Sequence, residues 1–83
     1  MFEYTTQGTC SKKIKFEVDG ENKLRNVQFT YGCNGNLQGI AKLVEGRTLD
    51  ELEPLLSGIK CGMKSTSCPD QLARAIRAYK ATL

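Results

Sequence analysis

Histidine and tryptophan are absent from this chain of 83 residues. Without histidine, the usual ligands of structural zinc sites and the strong nucleophiles of the sequence are confined to cysteine. The chain has four cysteines, at Cys10, Cys33, Cys61 and Cys68. Any metal or nucleophilic chemistry that the protein performs therefore depends on thiolates.

Long apolar runs are also missing from the chain. No stretch approaches the roughly 18 apolar residues of a membrane span, and the first residues contain no basic region followed by an apolar one. We therefore expect a cytoplasmic protein without membrane association. In that compartment cysteines stay reduced, and four of them more often serve metal or redox chemistry than disulfide formation.

Charge of one sign does not dominate any part of the sequence. The formal net charge is +3, and the lysines and arginines are scattered rather than grouped, so we expect no nucleic-acid partner. A chain of this length holds one small domain, over residues 1–83, and a core of that size gives little net stability without an additional crosslink. The cysteines are the candidates for that crosslink.

The first part of the sequence has the period-two alternation of β-strands. Residues 13–18 and 24–31 alternate between polar and apolar, and residues 19–22 supply turn chemistry between them. Residues 2–6 alternate as well, which makes a third strand plausible. We therefore predict an antiparallel sheet of two or three strands, in which the last strand buries a face formed by Val27, Phe29 and Tyr31.

From Asn34 onward the apolar residues recur with the spacing of an α-helix and no longer alternate with polar residues. Gly46 follows the last apolar position of the first helix, as is typical of a helix C-terminus. A second helix opens with a capping box at residues 48–51, and Pro54 predicts a kink or a restart in it. A third helix is predicted to start at Pro69 and to pack through Leu72, Ala75, Ile76 and Tyr79. The predicted fold class is α+β, with about three helices on one face of the sheet.

Each cysteine falls at the end of a predicted element, where side chains from different segments can converge. Cys10 precedes the first hairpin strand, and Cys33 lies between strand and helix. Cys61 follows the second helix, and Cys68 lies at or beside a helix N-cap. Four thiolates satisfy the tetrahedral preference of Zn²⁺ at about 2.3 Å per bond, and such a site supplies folding free energy. The spacing contains no C-x2-C knuckle, so it is not that of a zinc finger.

Other interpretations of the same residues stay open. Each cysteine could be a small buried hydrophobic residue, and four cysteines could form a disulfide framework with three possible pairings. The glycine-rich residues 31–36 match neither phosphate-loop pattern and more simply serve a tight turn. The lysines near the cysteines are either solvated charges or groups that favour the thiolate form.

The string Thr66-Ser67-Cys68-Pro69-Asp70 carries a family resemblance. With residues 58–61 before it and 72–76 after it, the chain resembles the TSCPD domain. Residues 8–10 and 31–33 are the other landmarks, so the resemblance covers nearly the whole chain. The family occurs as small bacterial proteins and as the cysteine-rich C-terminal segment of vitamin-B12-dependent (class II) ribonucleoside-diphosphate reductases. The resemblance implies a metal-binding module linked to deoxyribonucleotide and DNA synthesis.

A second, more distant resemblance is to the NifU/IscU type of iron-sulfur scaffold. It rests on residues 31–33, 43–46 and 48–51, and on Cys68 eight residues before Ile76. The resemblance implies a similar fold and a site that binds zinc or a cluster through three cysteines and a histidine. The cysteines would carry over to Cys10, Cys33 and Cys68.

The chain departs from the scaffold pattern in three ways. Ser67 stands where that family has its histidine, and the aspartate that labilises the cluster is replaced near Lys12. Cys61 has no counterpart and is a candidate fourth ligand. Four thiolates without a labilising carboxylate favour static zinc over cluster transfer.

Three classes of function follow from these residues and resemblances. The first is a metal-binding accessory module that docks on a ribonucleotide reductase large subunit or another protein, or presents thiols to it. The second is an iron-sulfur scaffold or carrier. The third, an enzyme, is disfavoured because a reductase needs a nucleotide-binding barrel and a radical-generating site, which 83 residues cannot contain. Zn²⁺ is the expected cofactor, with an iron-sulfur cluster as the alternative, and the oligomeric state stays open.

Overall fold

The computed structural model describes residues 2–6, 12–30, 34–60, 62 and 66–83, and it confirms the predicted α+β class. A three-stranded antiparallel sheet has the order β1-β2-β3. Three helices follow it in the chain. The elements are β1 (Phe2–Thr5), β2 (Lys13–Val18), β3 (Leu24–Thr30), α1 (Asn34–Val44), α2 (Leu49–Leu56) and α3 (Cys68–Lys80). No helix in the described ranges is long and apolar enough to cross a membrane.

A β-bulge in β3 corrects the strict alternation predicted for residues 24–31. The register of the β2–β3 ladder shifts between Lys15 and Glu17, and Asn26 adopts a left-handed backbone with φ 55°. The extra residue changes which face the later side chains occupy. As a result Leu24 and Val27, which perfect alternation would place on opposite faces, are both buried.

The core lies between one face of the sheet and the helices. At one end of it the rings of Phe2, Phe16 and Tyr79 form an aromatic cluster with centroid separations of 5.4 to 6.0 Å. The predicted stripe of α3 contributes to this core. The fully buried residues of the core include Ile14, Phe16, Leu24, Leu49, Leu72 and Ile76.

The helix boundaries confirm most of the predicted signals. Thr48 and Glu51 form both hydrogen bonds of the capping box, each at 3.3 Å, and Gly46 has φ 78° beyond the end of α1. Of the kink or restart predicted at Pro54, the restart does not occur: α2 runs as one helix from Leu49 to Leu56, with Pro54 inside it. The kink stays a prediction. Pro54 has no backbone N–H and so removes one helical hydrogen bond, and the helix ends two residues later.

Helix α3 begins one residue earlier than predicted. The Ser67 side chain accepts the Asp70 N–H at 3.1 Å, which makes Ser67 the N-cap. Cys68 is therefore the first helical residue and Pro69 the second. Proline is tolerated there because the N–H groups of the first helical turn have no helical partner.

Helices α2 and α3 lie antiparallel. The Lys80 ammonium contacts Asp50 at 2.8 Å, so the end of α3 meets the start of α2. The Leu49 N–H donates to the Asn22 carbonyl at 3.1 Å, which places that start beside the β2–β3 turn. Cys68 lies at the opposite end of α3, about 18 Å along the axis from Lys80 at 1.5 Å per residue.

Candidate functional site

The start of α3 carries a buried polar cluster, which consists of Thr66, Ser67, Asp70 and Gln71. Their exposed fractions are only 1 to 4 %. Cys68 lies within the same stretch and is partly exposed. Polar groups this deeply buried are stable only when they are hydrogen-bonded, and in the described part of the chain no buried side-chain nitrogen or oxygen lacks a partner.

Ser67 joins the start of α3 to the segment that follows α2. Its Oγ accepts the Asp70 N–H at 3.1 Å and donates its own proton to the Ile59 carbonyl at 2.6 Å. One hydroxyl thus caps the helix and fastens residue 59 beside it. The backbone of Cys68 is fixed as a consequence, because it directly follows the cap.

Asp70 makes a second connection to the same segment. Its Oδ1 accepts the Gly58 N–H at 2.7 Å, and its Oδ2 accepts the Thr66 hydroxyl proton and pairs with Arg74 Nε at 3.1 Å. Burial, the largest influence, raises the pKa of the Asp70 carboxyl. The hydrogen bonds from Thr66 and Gly58, together with the charge of Arg74, outweigh burial and lower that pKa below its usual value. The carboxylate is therefore ionised at neutral pH.

Gln71 completes the polar cluster. Its Nε2 donates to Thr66 Oγ1 at 3.0 Å. The Thr66 hydroxyl then has its single proton left for Asp70, so the hydrogen bonds run in one direction from amide to hydroxyl to carboxylate.

Other parts of the chain meet at the end of the sheet opposite the β2–β3 turn, which we call the open end of the sheet. The Thr6 N–H donates to the Lys12 carbonyl at 3.0 Å, and the Lys12 N–H donates to the Thr30 carbonyl at 2.7 Å. In the sequence Cys10 lies between Thr6 and Lys12, and Cys33 follows Thr30 by three residues. The residues from which these two cysteine segments depart are therefore neighbours at one end of the sheet.

Cys68 is the one predicted metal ligand among the described residues. Cys10, Cys33 and Cys61 lie outside them, so the convergence of the four sulfurs stays a prediction. Among the residues that the structure describes, no cluster of three or more cysteine, aspartate or glutamate side chains could hold a metal ion. A groove of about 270 Å³ between β3 and α1, lined by residues such as Gln28 and Lys42, contains no cysteine.

The structural role of Thr66, Asp70 and Gln71 is not among the features predicted from the sequence. One signal was present: a serine followed three residues later by an acidic residue is typical of a helix N-terminus, and Ser67 and Asp70 have that spacing. No comparable signal marks Gln71, because glutamine is mostly exposed in proteins.

Comparison with known families gives one finding. The family model described as the TSCPD domain matches residues 2–80, a range that includes all four cysteines and the whole polar cluster. Comparisons with curated proteins and with solved structures gave no match.

Proposed function

The chain belongs to the TSCPD domain family, and we propose that it is a small metal-binding protein in which Cys10, Cys33, Cys61 and Cys68 hold one Zn²⁺ ion. The observation that carries this proposal is the pair of connections that Ser67 and Asp70 make to residues 58 and 59. They fix Cys68 beside the point where the segment containing Cys61 begins. Two of the four thiols therefore belong to chain parts that are joined near the start of α3.

The geometry at the open end of the sheet supports the other two ligands. Thr6, Lys12 and Thr30 are linked by backbone hydrogen bonds there. Because consecutive Cα atoms are 3.8 Å apart, a cysteine within three residues of such a point stays within about 11 Å of it. Cys33 meets that condition from Thr30, and Cys10 meets it from Lys12.

The donor set fits zinc. Cysteine thiolates are soft ligands, and four of them complete a closed tetrahedral coordination sphere without water. Zinc in such a site supplies a crosslink between chain segments and no redox chemistry. Four thiolates and one Zn²⁺ would reduce the formal net charge from +3 to about +1, so the surplus of lysines and arginines offsets the negative site.

The wider role follows from the family resemblance. We propose a cytoplasmic accessory module that is not catalytic alone and that docks on a ribonucleotide reductase large subunit, in support of deoxyribonucleotide and DNA synthesis. Two apolar side chains of the described helices are accessible to a partner, since Leu43 of α1 and Leu55 of α2 are 70 % and 64 % exposed.

Anaerobic isolation with metal quantification tests the metal proposal. We expect one zinc per chain and no visible absorbance in the wild type, and loss of the zinc in Cys68→Ser. Thr82→Ser, near the C-terminus, is a matched control that should keep the metal. Brown absorbance with bound iron would favour the alternative, an iron-sulfur scaffold. Wild-type protein with reduced thiols and no stoichiometric metal would contradict both.

A separate experiment tests the partner. The zinc-loaded chain, immobilised anaerobically, should retain a purified class II reductase large subunit, and the metal-free chain should retain less of it. Equal absence of binding with both forms would remove the accessory role and leave the metal proposal intact.

A further inference from the structure

The Asp70 carboxylate joins three parts of the chain. Oδ1 accepts the Gly58 N–H at 2.7 Å, and Oδ2 accepts the Thr66 hydroxyl and pairs with Arg74 Nε at 3.1 Å. Gly58 lies in the turn after α2, and Thr66 directly precedes the N-cap of α3. The carboxylate therefore holds both ends of segment 58–66 against the first turns of α3.

Both Asp70 oxygens must act as acceptors. A backbone N–H such as that of Gly58 can only donate, and the Thr66 hydroxyl donates its single proton to Asp70 while it accepts from Gln71. An asparagine at residue 70 would have one acceptor and one donor group. It could therefore serve one end of the segment, while its amide group would oppose a donor at the other end.

Helix capping does not explain these contacts. Ser67 already accepts the Asp70 N–H and caps α3, so the capping position is filled by another side chain. The Asp70 oxygens instead bind Gly58 and Thr66, which lie outside the helix. The Asp70 carboxylate is buried, with its side chain 5 % exposed, and therefore carries a desolvation penalty that an apolar side chain in the same space would not have. The contacts of the Asp70 carboxylate therefore position the ends of segment 58–66 and do not cap the helix.

We propose that Asp70 is a positioning residue for the metal site, an inference that rests on the proposed function above. Its two oxygens fix the ends of segment 58–66, which contains Cys61 in the sequence, beside Cys68. Asp70 would act through the backbone that carries the ligands, since its partners Gly58 and Thr66 flank the segment in the sequence. Loss of groups that orient the ligands of a metal site lowers metal affinity without removal of any ligand.

A Co²⁺ titration of the reduced full chain tests the inference, because thiolate-bound Co²⁺ absorbs visible light with an intensity that depends on coordination geometry. We expect Asp70→Asn to keep the far-ultraviolet circular dichroism of the wild type, to bind Co²⁺ at least roughly tenfold more weakly, and to show a weaker ligand-field band. Asp50→Asn is the matched control. That carboxylate is 76 % exposed and contacts Lys80 at the other end of the same helix pair, and its loss should leave both readouts unchanged.

A second variant keeps the test decisive if Asp70→Asn does not fold. Thr66→Val removes one of the donors to Asp70 and should shift Co²⁺ affinity in the same direction by a smaller factor. Wild-type affinity and spectrum in folded Asp70→Asn, or in Thr66→Val when the asparagine variant is unfolded, would overturn the positioning role alone. A wild-type chain that binds no Co²⁺ would overturn the proposed metal site, and this inference with it.

Discussion

The buried carboxylate of Asp70 accepts a hydrogen bond at 2.7 Å from the backbone N–H of Gly58, twelve residues earlier in the chain. This bond joins the end of α2 to the start of α3. At the opposite end of the same helix pair, Lys80 binds Asp50, whose side chain is 76 % exposed. The two helices are therefore fastened at both ends by a carboxylate, one inside the protein and one on its surface.

The different burial of these carboxylates predicts different stability losses. Asp70→Ala leaves the Gly58 N–H, the Thr66 hydroxyl and Arg74 without their acceptor, and we expect the free energy of unfolding to fall by about 3 kcal/mol. Asp50→Ala removes an exposed ion pair and should lower it by less than about 1 kcal/mol. Urea denaturation of both variants measures the difference. Equal losses would contradict the assignment of the buried network.

The two helix caps give a second comparison. Ser67 caps α3 and also donates to the Ile59 carbonyl, whereas Thr48 caps α2 at a more accessible position. We expect Ser67→Ala to cost about 2 kcal/mol of unfolding free energy and Thr48→Ala about 1 kcal/mol. The measurement is again urea denaturation. A larger loss at Thr48 would show that the contact with Ile59 contributes little.

The bulge in β3 predicts a dependence on the residue at position 26. Asn26 has φ 55°, a conformation that glycine and asparagine adopt readily and that β-branched residues do not. Asn26→Val should lower the melting temperature by several degrees, since left-handed backbone costs an ordinary residue roughly 1–2 kcal/mol. Asn26→Gly should stay close to the wild type. A valine variant as stable as the wild type would contradict the bulge.

The bulge is the feature of the sheet that the sequence pattern does not predict. The capping box at Thr48 and the glycine after α1 are local patterns with a fixed chemical cause, and the structure confirms both. The shift at Asn26 depends on pairing with a neighbouring strand, which period-two counting within one strand cannot detect. The predicted apolar face therefore omits Leu24, although it is fully buried.

The cysteines of the candidate site can be predicted from the sequence, whereas the buried polar residues that position them cannot. Cysteine is the one thiolate ligand, and the chain has no histidine, so composition alone points to the cysteines. Asp70 and Gln71 belong to residue types that are mostly exposed, and their burial depends on contacts with distant residues such as Gly58. Sequence spacing cannot supply such contacts, because the turn after α2 and the start of α3 meet only in the folded chain.

The turn between β2 and β3 predicts a specific pH dependence. The pKa of Asp19 is lowered, chiefly because its carboxylate accepts the Lys23 N–H, with further lowering from the Glu21 N–H and from Arg25. Because the folded protein favours the ionised form, this contribution is present above the unfolded pKa of about 3.9 and is lost as pH falls through the folded value.

The corresponding test compares the wild type with Asp19→Asn from pH 7 to pH 2. The difference between their unfolding free energies should be largest above about pH 5 and should shrink as the pH falls below about 4. Release of metal in acid affects both proteins and cancels in this difference. A difference that does not change with pH would contradict the role of the Asp19 carboxylate.

Metal removal is the prediction that separates a structural site from a scaffold. A small core has little stability of its own, whereas a structural zinc site contributes on the order of 10 kcal/mol to folding at neutral pH. Since 1 kcal/mol shifts the melting temperature of a domain this size by about 4–8 °C, a strong chelator should lower it by tens of degrees or unfold the chain. Cys68→Ser should have a similar effect, and the chelator should then change that variant little further. If verified metal-free wild-type protein gives an unchanged circular dichroism melt, the site is not structural, and the scaffold alternative becomes the better explanation of the four cysteines.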